Sequence, residues 1–141
     1  METMKVITIE GDKNAGKPTL VRHVLHRLVN DGAEVLYYEA CGAFRDDFHA
    51  VVIWHARKIT LCSIGDSPKY VRDGVNYAKK VSSEILLNTR TLSVKEEEYK
   101  LSLPSECDLH SISVVPNKGD IEVFIKEKQK VLESIIAMLS E

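Results

Sequence analysis

The residues best suited to chemistry lie between Gly11 and Thr19, where the chain reads GDKNAGKPT. The spacing is GxxxxGK, placed between a β-rich run and an amphipathic one. A chain leaving a buried strand there must turn sharply before entering a helix. Glycines at 11 and 16 permit backbone angles and close approaches that a Cβ would block. Successive N–H groups in such a turn form a nest for an anion, and the helix N-terminus adds partial positive charge. Lys17 adds a full charge. Gly11, Asp12, Lys13, Asn14, Ala15, Gly16, Lys17, Pro18 and Thr19 are therefore the candidate cradle for the phosphates of a nucleotide. Lys17 is the candidate catalytic cation, facing the β- and γ-phosphates.

Pro18 stands where such a turn normally carries Ser or Thr, whose hydroxyl helps to hold Mg²⁺. Proline lacks an N–H and disfavours helical angles at the residue before it, but it is tolerated in the first turn of a helix. Thr19 offers a hydroxyl one residue later, about 100° further round the helix. Asp66 closes the run ITLCSIGD, a position at which phosphoryl-transfer sites keep a carboxylate that organises Mg²⁺. Thr19 and Asp66 are the candidate metal ligands, and Asp66 joins Lys17 as a candidate catalytic group. The turn Gly65-Asp66-Ser67-Pro68 also reads simply as a helix cap.

Weaker candidates surround these. Glu10 precedes the glycine turn, and Arg90 follows a short strand. Glu39, Arg45, Asp46, Asp47 and His49 follow the second strand, on the edge where open α/β sheets bind ligands. For Arg90 and for these five, a solvated surface role is the simpler reading, as it is for His23 and His26 on the first helix. Asn117-Lys118-Gly119-Asp120 has the NKxD order that reads guanine in GTP-binding proteins, and it is also an ordinary turn composition.

The elements that must position these groups follow from hydrophobic period. Residues 5–10 form a short β-branched run, a buried strand. Residues 17–30 carry Leu20, Val21, Val24, Leu25, Leu28 and Val29 on one helical face, and Asp31-Gly32 ends that helix. A strand over 34–38 completes a βαβ unit with parallel strands and a right-handed crossover. Runs at 50–55 and 58–64 are too close for an intervening helix and predict an antiparallel hairpin, one strand of which forms the sheet edge. Ser67 and Pro68 open a second helix, with Val71, Val75, Ala78 and Val81 for its buried face. Strands at 84–88 and 109–115 follow, and a closing helix spans 121–139. The acidic stretch 94–107 reads equally as a helical turn or a loop. The alternation predicts one domain over 1–141, a three-layer α/β sandwich with a mainly parallel sheet and an antiparallel hairpin.

Composition narrows the classes. The chain has 141 residues, 44 % hydrophobic and 28 % charged, enough apolar surface for a core without a metal or disulfide staple. A net charge of −2 argues against sequence-blind nucleic-acid binding. The longest apolar runs are far short of the roughly 20 residues that span a bilayer, and the first residues lack a basic-then-apolar leader. Cys41, Cys62 and Cys107 are odd in number and widely spaced, without zinc spacing. Together these predict a cytoplasmic protein with reduced thiols and no membrane partner.

The stretches IEGDKNAGKPTL, EVLYYE, DFHAVVIWHARKITLCSIGD and ILLNTRT resemble small bacterial P-loop ATP-binding proteins of the P-loop NTPase superfamily, over about the first 90 residues. The resemblance implies ATP or GTP with Mg²⁺ at residues 11–17 and Thr19, and Asp66 near the metal; it brings no substrate with it. The expected activity is Mg²⁺-dependent hydrolysis of a nucleoside triphosphate, ATP before GTP, or transfer of its γ-phosphate. The stretch 94–107 carries no arginine to build a lid, which favours hydrolysis or switching over a kinase. A non-catalytic nucleotide- or protein-binding module, with Pro18 as its sign, and a GTP-specific switch are the alternatives. A protein partner or homo-oligomer fits any of them.

Overall fold

A computed structural model describes residues 3–12, 15–41, 47–114 and 120–141. The elements run β1 (Met4–Gly11), α1 (Lys17–Asn30), β2 (Glu34–Cys41), β3 (Asp47–Trp54), β4 (Arg57–Cys62), α2 (Pro68–Lys80), β5 (Ile85–Thr91), α3 (Glu96–Ser102), β6 (Cys107–Ser113) and α4 (Ile121–Ser140). The strands form one six-stranded mixed sheet in the order β2-β3-β4-β5-β1-β6. β4, β5, β1 and β6 are mutually parallel, and β3 runs against both of its neighbours.

Alternation along the strands assigns each face its helices. Ile7 and Ile9 of β1 and Ile85 and Leu87 of β5 share a core with Leu20, Val24 and Leu28 of α1 and with Ile135 and Leu139 of α4. Val6 and Leu86, one residue out of phase, pack with Val71 and Val75 of α2 and Tyr99 of α3 on the other face. The result is an α/β sandwich with helices on both sides of the sheet. β1 is followed by α1 on one face, whereas its neighbour β5 is followed by α3 on the other. The carboxyl ends of β1 and β5 thus form a switch point, the place where open α/β sheets have a crevice.

Val81, expected on the buried face of α2, is instead its half-exposed C-cap, and two expectations about strand placement need correction. β1 and β2 run in the same direction, but three strands lie between them. The sheet edge is β2 and not a strand of the hairpin, because β3 pairs with β2 as well as with β4. Every β2 residue from Glu34 to Ala40 is exposed, including Leu36 and Tyr38, so local hydrophobicity misreports its place. A register shift between Val35 and Tyr37 marks a bulge, a common way of blunting a free edge. The acidic stretch supplies α3, whose Tyr99 is buried and donates through its hydroxyl to Asn88 Oδ1 at 2.8 Å.

Trp54 pairs with Arg57, leaving a two-residue turn in which His55 and Ala56 have φ of 51° and 64°. That is the type I′ pattern favoured in hairpins, held here without glycine. Left-handed angles cost an alanine roughly 1–2 kcal/mol, part of which glycine returns as unfolded-state entropy. Ala56→Gly is therefore expected to raise stability by about 0.5–1 kcal/mol, read as an upward shift of the urea midpoint at unchanged slope.

Candidate functional site

β1 ends at Gly11, whose two neighbours close in on it. Leu92 N donates to Gly11 O at 3.1 Å, and Val114 N donates to Glu10 O at 2.8 Å. A Cβ on Gly11 would lie 2.7 Å from Val114 O, so glycine is required there by close approach and not by its angles. Gly16 is the complementary case. It is the N-cap of α1, with φ of 82°, a conformation that a side chain would strain. α1 starts without a side-chain cap bond and without an acidic residue in its first turn. Its partial positive charge is therefore not answered by a carboxylate of that turn. Pro18 sits inside this first turn and the helix still begins at Lys17, consistent with proline's tolerance there.

Lys17 is only 4 % exposed. Its Nζ donates to Gly11 O at 3.0 Å and to Asp12 O at 2.6 Å, so the ammonium is folded back over the start of the turn. Burial pushes its pKa below the ordinary lysine value; the carboxylates of Asp66 and Asp12 act against that shift, and the Lys128 cation adds to it. Ala15 N closes the turn by donating to Asp12 O at 3.1 Å. Lys13 and Asn14 lie outside the described residues.

Two clefts flank the turn. Asp12, Asp66, Thr91 and Ser93 line one of about 470 Å³, at the switch point. There Thr91 Oγ1 donates to Asp66 Oδ1 at 2.7 Å, fixing the carboxylate. Gly16, Thr19, Leu20, His23, Phe124, Ile125, Lys128, Gln129 and Leu132 line the other, a largely apolar groove of about 440 Å³ between α1 and α4. The structure therefore brings Lys17 and Asp66 into electrostatic range but places Thr19 on a different cleft from Asp66. Among the described residues, no three His, Cys, Asp or Glu side chains cluster as a metal site would need.

The weaker candidates are engaged elsewhere. Arg90 pairs with Glu10, with Nη2 3.2 Å from Oε2, and Arg90 Nη1 donates to Val94 O at 2.7 Å. This pair, with Arg90 buried and Glu10 half-buried, stitches β5 to β1, and neither member faces the turn as a free group. Asp47 accepts from Ser63 Oγ at 2.9 Å, His49 Nδ1 lies 3.2 Å from Cys62 Sγ, and Glu39 is bonded by the Tyr37 hydroxyl. Burial lowers the His49 pKa and pushes the Cys62 thiol up to about 12, so neither is primed as a charged group near neutrality. His26 is exposed, and His23 is exposed at the mouth of the apolar groove. Asp120 caps α4, its Oδ1 accepting from Glu122 N at 2.8 Å. Asn117, Lys118, Gly119, Arg45 and Asp46 lie outside the described residues.

Sequence reasoning missed Lys128, Thr91 and Ser93. Thr91 had a signal: the polar run Asn88-Thr89-Arg90-Thr91 ends an otherwise apolar strand and is buried throughout. Lys128 had a fainter one, standing between Phe124 and Leu132 at helical spacing on α4. No helix of the described residues is long and apolar enough to cross a membrane, and all three cysteines are free thiols. No family model, curated protein or solved structure matches the chain.

Proposed function

We propose that this chain is a P-loop NTPase-like protein that binds a nucleoside triphosphate, with the phosphates over the turn from Gly11 to Lys17. The observation that carries the reading is Lys17, a buried ammonium held on backbone carbonyls at the uncapped start of α1. A lysine is rarely buried without a carboxylate in direct contact unless its charge has work to do. The switch-point crevice supports the same reading, since it lies beside the turn. The apolar groove on the other side has the size and lining of a small-molecule pocket and suits a nucleoside.

Asp12, Asp66, Thr91 and Ser93 offer only oxygen donors, a set that fits a hard cation such as Mg²⁺. Asp66, with Asp12 beside it, would hold it; Thr19 is not proposed as its partner. When bound, Mg²⁺ would neutralise phosphate charge. Lys17 would leave its carbonyls for the phosphoryl oxygens, and Asp66 would keep the cleft polar and oriented through Thr91. ATP is favoured over GTP because Asp120 uses Oδ1 to cap α4, a structural role that does not call for a base. Binding without turnover is the second reading, supported by Pro18 in the first turn and by Thr19 facing the groove.

Calorimetric titration with ATP, GTP and their diphosphates, with and without Mg²⁺, tests the proposal. Saturable one-site binding of ATP, tighter than that of GTP, is expected. Absence of heat with every nucleotide would sink it. Phosphate release then separates hydrolysis from binding alone, and Pro18→Thr should raise Mg²⁺-dependent affinity or turnover if the rest of the site is complete.

A further inference from the structure

Lys128 comes to the turn from the far end of the chain. Its Nζ donates to Ala15 O at 2.7 Å, a contact across 113 residues of sequence. The same atom lies 5.4 Å from the centre of the Phe124 ring and 3.4 Å from where a Cβ of Gly16 would stand. The side chain is thus laid along the groove between α4 and α1, with its charge delivered to the first turn of α1.

This placement is electrostatically costly. Two ammonium groups share one helix N-terminus, whose own partial charge is also positive. Each donates to neutral carbonyls. Burial lowers the pKa of Lys17, the Asp66 and Asp12 carboxylates oppose that shift and the Lys128 ammonium adds to it, while burial lowers the pKa of Lys128 itself. Such an arrangement is repulsive in the free protein and becomes favourable when a multiply charged anion enters between the two groups.

We infer that Lys128 is a second phosphate-binding cation, bracketing the phosphate chain of a nucleoside di- or triphosphate from the α4 side while Lys17 holds it from the turn. The inference rests on the nucleotide reading above and goes beyond it. It names a residue outside the turn and brings a second positive charge to it from α4. The adjoining groove, with Phe124, Leu20 and Leu132 on its walls, then receives the nucleoside end of the same ligand. A consequence follows for the metal. With two lysines on the phosphates, binding persists when Mg²⁺ is removed.

The test titrates the full chain with ATP and with inorganic pyrophosphate in EDTA, comparing wild type, Lys128→Gln and Lys128→Arg, with thermal melts of each free protein. Wild type should bind both probes without metal. Lys128→Gln should lose at least about 10-fold in affinity for both while its melting temperature stays near that of wild type, and Lys128→Arg should recover most of the loss. Equal affinity of wild type and Lys128→Gln overturns the inference and leaves the nucleotide reading standing. So does a Lys128→Gln protein that melts early and loses affinity no more in EDTA than in Mg²⁺, which would make Lys128 a clamp between helices. Failure of wild type to bind any nucleotide or pyrophosphate, with or without Mg²⁺, overturns both together.

Discussion

Lys17→Met is expected to weaken ATP binding by at least about 100-fold, close to 3 kcal/mol, without destabilising the free protein. The two halves of that expectation have one cause. Lys17 is buried, and the desolvation of its charge is repaid by two neutral carbonyls in direct contact and, at longer range, by the Asp66 and Asp12 carboxylates. Both carbonyls keep another donor when the ammonium is gone: Gly11 O still accepts from Leu92 N, and Asp12 O from Ala15 N. Methionine fills a similar volume, so neither an orphaned acceptor nor a large cavity is left. A melt should therefore show an unchanged or higher midpoint, while calorimetry shows the affinity lost. A variant that lost both together would mark Lys17 as a structural strut and remove the main support for the nucleotide reading.

The pH dependence has a definite sign. Burial holds the Lys17 pKa below the ordinary 10.5, so the unfolded chain binds the extra proton in the interval between the two values. Through that interval the stability of the free protein rises with pH. Anion affinity moves the other way, since the ammonium is lost as pH climbs through the lowered value. Lys17→Met should abolish the contribution of this residue to both trends.

What the sequence made legible was mostly local. α1 begins at Lys17 after the glycine turn and α2 at Pro68 after its Ser67 cap, as read, and the hairpin turn at His55-Ala56 falls within a residue of the gap between the expected strands. These features depend on a few neighbouring residues, so one sequence carries them. The position of β2 was illegible because EVLYYEAC has the composition of an interior strand and lies at the edge. Strand order is a long-range property, and no residue within β2 records which strand it will meet. The site divides in the same way. The turn from Gly11 to Lys17 is a continuous motif, readable by spacing. Lys128 and Thr91 reach it through tertiary packing of α4 and β5, and Glu10 and Arg90, readable as separate site residues, are neighbours in register across β1 and β5 that neutralise each other.

Gly65→Ala is the substitution expected to damage the fold most for the least chemical change. The chain leaving β4 crosses β5 so closely that a Cβ at this position would stand 1.9 Å from Thr89 O and 2.5 Å from Thr89 Oγ1. Neither neighbour is free to yield. Thr89 is fully buried in β5, which lies between β4 and β1, and its hydroxyl donates to Ser63 O at 2.9 Å. Thr91 N donates to Gly65 O at 3.0 Å, so moving the loop away breaks the contact that extends the sheet. One residue on, Thr91 Oγ1 fixes Asp66, and displacement of the backbone at 65 takes that carboxylate out of its cleft. Overpacking against backbone in a closed interior costs about 3 kcal/mol or more, which for a chain of this size lowers the melting temperature by roughly 10 °C. Gly74→Ala provides the contrast. Its Cβ would meet Cys62 Sγ at 3.2 Å, a side-chain atom, and the helix gains about 1 kcal/mol of propensity to set against the crowding. Urea unfolding of the two variants side by side should leave Gly74→Ala near wild type and Gly65→Ala far below it. Comparable midpoints would mean that the segment after β4 can shift at little cost, and that Asp66 is not held at the switch point by the packing described.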